Sequence, residues 1–192
     1  MSNKSPKIFQ FKIQLNDIKP LIWRRVQVLS TITFADFHDV IQNTMGWLDC
    51  HLHEFFIKNN TKVHRIGMID EYDDCGAPTE DEMNVTLSTI FTEEQQKIVY
   101  VYDFGDDWQH EIILEKILDS DEKSYPRCVA GERACPPEDC GGPWGYENLL
   151  EILGDPKHEE HNNMLEWCGK IDPEAFSVEA TYKFLRNFNS SN

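Results

Sequence analysis

The sequence predicts an α+β fold, a largely antiparallel sheet with helices, mostly C-terminal, packed on one face. Residues 9–15 and 98–103 alternate apolar and polar side chains with the period of two that a half-buried strand requires. The last fifty or so residues are instead divided by Gly154, Gly169 and two Asp-Pro pairs into runs of helical spacing. Strands early and helices late favour a sheet layer covered by helices, and no solenoid-like repeat competes with that reading.

At 192 residues, 40% of them hydrophobic, the chain can bury a sizeable core. It is read as one domain over 1–192, with disorder confined to the ends. Its 34 acids against 18 bases give a formal charge of -16, which repels phosphate backbones and disfavours direct nucleic-acid binding. The start of the chain, M-S-N-K-S-P-K, lacks an apolar leader core, and no stretch reaches the roughly 20 apolar residues that a bilayer demands. A cytoplasmic, membrane-free protein is therefore expected. Its six cysteines, at 50, 75, 128, 135, 140 and 168, are then reduced thiols or metal ligands.

In chain order, Phe9, Phe11, Ile13 and Leu15 form the apolar face of a first strand. Asn16, Asp17 and Pro20 turn the chain into a second apolar run over 21–29, with Arg24 and Arg25 expected at a strand edge. Thr33 and Asp36 resemble a capping box, and Phe34, Phe37, Ile41 and Met45 then recur at helical spacing before Gly46, which predicts a helix over 34–45 with His38 at its surface or boundary. A strand is expected over 47–57. It would carry His51 and His53 on one face, where half-buried, hydrogen-bonded histidines are favoured over a shared metal. After a turn at Asn59 and Asn60, a short strand fits 63–66.

Residues 70–82 hold seven acids and no base and read as an exposed loop. Counted from Glu71, acids fall at positions 1, 3 and 12 of a calcium-loop pattern with Gly76 at position 6, but Cys75 at position 5 breaks it. A short turn or helix follows near 87–91. Strands over 98–103 and 108–118 then form a hairpin whose tip, F-G-D-D, is eased by positive φ at Gly105. Residues 119–145 contain four of the nine prolines and four of the ten glycines and read as a long ordered loop. Helices are expected over 146–153, from Asp155-Pro156 to Gly169, and along the stripe Val178, Tyr182, Leu185 and Phe188.

Two stretches concentrate the chemistry. In the hairpin tip, Asp103, Asp106, Asp107 and His110 fall within eight residues, a grouping able to perform acid-base or metal chemistry. The structural alternative gives the aspartates turn-capping roles and makes Trp108 an anchor in the core. The D-F-G triplet lacks the nucleotide loop and catalytic-loop signature of a kinase, so that class is excluded. In the loop, Cys128, Cys135 and Cys140, with His110 or a histidine from 51–53, offer a zinc ligand set without the tight C-x-x-C spacing, and buried free thiols are favoured. His158, His161, Leu165 and Cys168 share one helical face, read as core or boundary packing, and H-E-E-H is one residue short of the zinc-protease motif.

Y-D-F-G-D-D-W-Q-H over 102–110 and C-V-A-G-E-R-A-C-P-P-E-D-C-G-G-P-W-G-Y over 128–146 resemble the plasmid pRiA ORF-three-like family. L-I-W-R-R-V, W-L-D-C-H-L-H-E-F, L-E-W-C-G and D-P-E-A-F extend that resemblance over nearly the whole chain. It implies a protein of plasmids and mobile elements, some of its relatives lying beside transposase genes, with no assigned reaction. The family signature falls on Asp103, Gly105, Asp106, Trp108 and His110, and on Cys135, Pro136, Pro137, Glu138, Asp139, Gly141, Gly142, Gly145 and Tyr146.

The residues and the resemblance together predict an acidic accessory module. Its ligand- or protein-binding site would comprise Asp103, Asp106, Asp107, Trp108, His110, Cys135, Glu138 and Asp139, with zinc or another divalent metal as the candidate cofactor and an unidentified protein or small ligand as partner. The alternative is a metal-dependent hydrolase that uses the carboxylates as ligands and His110 as ligand or general base.

Overall fold

A computed structural model describes residues 6–59, 62–69, 79–121, 123–181 and 185. The elements in order are β1 (Ile8–Leu15), β2 (Trp23–Leu29), α1 (Phe34–Met45), β3 (His53–Asn59), β4 (Lys62–Gly67), β5 (Thr79–Asp81), α2 (Leu87–Ile90), β6 (Lys97–Tyr102), β7 (Trp108–Leu118), β8 (Arg127–Glu132), α3 (Gly142–Gly154) and α4 (His161–Cys168). The strands make one eight-stranded sheet in the order β5-β4-β3-β6-β7-β1-β2-β8. Every neighbouring pair is antiparallel except β4 with β5. Helices α1 and α2 precede β6, and α3 and α4 follow β8.

The alternation in β1 buries Phe9, Phe11, Ile13 and Leu15 in the core. Phe11 and Phe37 rings lie 4.8 Å apart, and Phe34 meets Phe55 of β3 at 4.9 Å, so the helix bridges strands that are not sheet neighbours. The helix begins where expected because Thr33 Oγ1 accepts from Asp36 N while Asp36 Oδ2 accepts from Thr33 N. It ends at Gly46, whose φ of 105° only glycine adopts without strain.

Several expectations are corrected. Arg24 and Arg25 do not mark an edge, because β2 is covered by β8. Arg24 is buried, donating from Nε to Thr44 O and from Nη1 to Trp23 O and Glu132 O, while Arg25 forks onto Glu115. His38 is buried rather than peripheral. The long loop contains β8, a short strand that pairs the backbone groups β2 would otherwise leave open. Helix α3 starts at Gly142 rather than Tyr146, since Pro143 is tolerated in a first turn. After Asp155 the chain makes tight turns and α4 begins only at His161. That helix has no buried residue, so the face of His161, Leu165 and Cys168 is not core.

Most of the acidic segment 70–82 and of the calcium-loop pattern lies outside the described residues. The part within them forms β5, followed by Glu82, which is buried rather than exposed. Of the C-terminal stripe, Tyr182 and Phe188 lie outside the described residues, residues 178–181 are helical, and Leu185 is buried. No helix among the described residues is long and apolar enough to cross a membrane.

Candidate functional site

The β6–β7 hairpin is held at its tip by aspartate chemistry. Asp103 and Asp107 take φ of 55° and 53°, a region in which aspartate is tolerated and most side chains are not, while Gly105 has no positive φ. The expected role of Gly105 therefore passes to these two aspartates. Asp103 Oδ1 accepts from the backbone N of Gly105 at 2.9 Å and of Asp106 at 3.3 Å, and Asp107 N donates to Asp103 O at 2.7 Å. Trp108, fully buried, fixes the tip to the core beside Trp47, 5.9 Å away between ring centroids.

The Cys-Pro-Gly loop meets this tip. Asp106 Oδ2 accepts from Gly141 N at 2.9 Å. At Gly142, with φ of +69°, a Cβ would stand 2.3 Å from Asp106 O, so only glycine permits the approach. A third segment, 47–51, completes the junction. Trp47 Nε1 donates to Pro136 O, Leu48 N donates to Glu138 Oε1 at 2.8 Å, and Tyr102 Oη donates to the same carboxylate oxygen at 3.1 Å. Cys50 N in turn donates to Tyr102 Oη, whose pKa is raised by burial.

At the centre stands His51. Its Nε2 lies 3.1 Å from Asp139 Oδ1, 3.7 Å from Asp103 Oδ2 and 4.0 Å from Glu138 Oε2. The Asp139 contact is near enough for an ion pair but is not aligned as a hydrogen bond, so Nε2 and Glu138 Oε2 are both buried atoms with no hydrogen-bond partner. Cys50 Sγ joins from the same segment. The donors form two overlapping triads, Cys50–His51–Glu138 and His51–Asp103–Asp139, each with ligand atoms within 4.8 Å of one another.

His110 lies elsewhere. The inward alternation that buries Trp108, Ile112 and Leu114 buries it too, opposite Leu15 and Tyr100 in the flanking strands. Its Nδ1 is 3.3 Å from Tyr100 O, Trp47 packs edge-on against it, and burial pushes its pKa down to about 4. Asp107 Oδ2 accepts from Gln109 Nε2, and Asp107 belongs to neither triad.

Among the described residues, no metal-competent triad includes Cys128, Cys135, Cys140 or His110. Cys128 donates to Ala130 O, burial raises the Cys135 thiol, and burial pushes Cys140 up to about 12. The five described cysteines are free thiols. His51 and His53 also part company: His51 precedes β3, and His53 belongs to a separate group with His38 and Asp49. The sequence signal for the centre was the run W-L-D-C-H, whose Cys50 and His51 acquire partners only through the folded hairpin and loop.

The tip also borders a groove of about 1190 Å³, lined by Gly105, Asp106, Asp107, Arg133, Trp144 and Glu147 among others. Its lining does not include His51, Asp103, Glu138 or Asp139.

The family described as plasmid pRiA4b ORF-3-like protein matches residues 7–180. The uncharacterized protein y4hQ of Sinorhizobium fredii (strain NBRC 101917 / NGR234) is 37% identical over 166 residues, which cover 86% of this chain and 82% of that protein. The crystal structure of a protein of unknown function, MM3350 from Methanosarcina mazei Go1, is similar with a TM-score of 0.82 and 42% identity, covering 91% of this chain and 97% of its own.

Proposed function

The chain belongs to the plasmid pRiA4b ORF-3-like protein family, and we propose that it is an accessory binding module built around a divalent metal held by His51 with Asp103, Glu138, Asp139 and Cys50. The observation that carries this reading is the pair of buried, unbonded ligand atoms, His51 Nε2 and Glu138 Oε2, 4.0 Å apart. Leaving two such atoms without partners is costly, and a cation between them removes that cost. An imidazole with carboxylates and a thiol suits zinc or a similar borderline metal better than calcium or magnesium, which prefer oxygen donors alone.

In this reading the module acts as one domain in the cytoplasm, the hairpin tip and the loop 135–142 present the metal, and a protein or small ligand completes its coordination. The plasmid description of the family supports an accessory role on mobile elements, and the charge of -16 argues for a protein or small-molecule partner over DNA. The hydrolase alternative has less support, because His110, its ligand or general base, is fully buried and belongs to no metal-competent group among the described residues.

Calorimetric titration of metal-free protein with Zn²⁺ tests the reading. Wild type should bind, and His51→Ala and Glu138→Gln should each weaken that binding about tenfold or more. Equal affinity in wild type and His51→Ala overturns it.

A further inference from the structure

The groove beside the hairpin tip is separate from the cluster around His51 and is built from distant parts of the chain. Residues 14–19 and Leu21, at the end of β1 and in the turn after it, line it together with Gly105, Asp106 and Asp107 of the tip, Arg133, and residues from Gly141 to Glu151 of the loop and α3. Its volume of about 1190 Å³ exceeds the roughly 300–1,000 Å³ of a small-molecule pocket and suits a stretch of polypeptide. Leu15, Ile18 and Leu150 give the lining an apolar part.

In the same lining stands Trp144, which at 83% has the highest exposure of any large hydrophobic side chain among the described residues. It does not hang from a loose loop. Gly142 packs on Asp106 O, and a Cβ at Gly145 would stand 1.9 Å from Cys140 O, so the backbone on both sides of Trp144 is fixed by contacts that only glycine allows. A rigid, exposed indole on the first turn of α3 forgoes the burial that so large an aromatic normally obtains, and tryptophans placed in this way anchor interfaces.

The charge in the groove is one-sided. Asp17, Asp106, Asp107, Glu147 and Glu151 line it, and none of them forms an ion pair among the described residues. Two cations share the lining. Arg133 is already committed, with Nε donating to Glu174 Oε1 at 2.8 Å and Nη1 to Pro20 O at 2.9 Å, which leaves Lys19 against the carboxylates. Walls of low dielectric focus such a field along a cleft and draw in positive charge. Tyr146, 1% exposed, also belongs to the lining, and its hydroxyl has no hydrogen-bond partner.

We propose that this groove docks an extended segment of a partner protein in which lysine or arginine side chains flank an apolar one. The cations meet the unpaired carboxylates, one of them lies over the Trp144 ring as a cation–π contact, and the apolar side chain packs on Leu15, Ile18 and Leu150. Docking here needs no metal at His51, because His51, Asp103, Glu138 and Asp139 are not part of the lining.

A short fluorescent peptide alternating lysine and leucine, titrated with full-length protein and followed by anisotropy at low and at physiological salt, tests this. Wild type should bind it, with an affinity that falls as salt rises. Trp144→Ala, at an exposed position, and the double variant Glu147→Gln/Glu151→Gln, one turn apart on α3, should each weaken binding about tenfold or more. Glu93→Gln/Glu159→Gln removes two exposed carboxylates that do not line the groove and should stay within about twofold of wild type, as should His51→Ala. Absence of binding by wild type, or unchanged affinity in Trp144→Ala, overturns the proposal. Equal losses in the two double variants also overturn it, because binding would then follow net charge alone. Displacement of the peptide by spermine at equal or lower concentration overturns the polypeptide occupant in favour of a small polycation.

Discussion

Asp106 Oδ2 accepts a hydrogen bond from Gly141 N at 2.9 Å, and this bond locks the hairpin tip to the Cys-Pro-Gly loop. Next to it Gly142 packs directly on the Asp106 carbonyl. Gly142→Ala combines a left-handed backbone with a Cβ 2.3 Å from a backbone oxygen, so it should destabilise the protein by roughly 2–4 kcal/mol. Urea unfolding measures the loss. The same variant should weaken metal binding at His51 by pulling Glu138 and Asp139 away from Asp103.

Arg24 supports the junction from behind. Its guanidinium reaches Thr44 O, Trp23 O and Glu132 O and lies 4.4 Å over the Phe176 ring. Lysine keeps the charge but cannot match that fork or stack as a plane. Arg24→Lys should cost roughly 2–3 kcal/mol, read as a lower urea midpoint at unchanged m-value.

His110 gives a pH dependence of defined sign. It is neutral in the fold, with its pKa pushed by burial from 6.5 to about 4. The unfolded chain takes up a proton as pH falls below 6.5, so the His110 contribution is complete above 6.5, is lost towards pH 4 and is flat below it. The slope in that window is about 1.4 kcal/mol per pH unit. His110→Leu in metal-free protein should remove this component from a series of urea melts, whereas an unchanged slope would show that His110 is not buried neutral.

The strands and α1 were legible because their signals are local. Period-two alternation in β1, β6 and β7 and the Thr33–Asp36 cap need no knowledge of partners. β8 was not, because Arg127–Glu132 has little pattern of its own and is a strand only through the open edge of β2. The meeting of tip and loop was suggested by the density of Asp, Cys and Gly, whereas its histidine was left between His110 and the 51–53 pair. His110 sits among aspartates in sequence, yet strand alternation turns it inward. His51 lies in W-L-D-C-H, a run that does not name its partners, and is brought to Asp103 and Asp139 only by tertiary structure. His38 was hidden for the same reason, since its partners Asp49, His53 and Tyr100 come from other elements.

The most direct measurement of the central claim is anomalous scattering at the zinc edge from crystals of the wild-type protein grown with Zn²⁺. A peak about 2.0–2.1 Å from His51 Nε2, with carboxylate oxygens of Glu138, Asp103 or Asp139 completing the shell, is the predicted result. Zinc density among Cys128, Cys135 and Cys140, with none at His51, would contradict it.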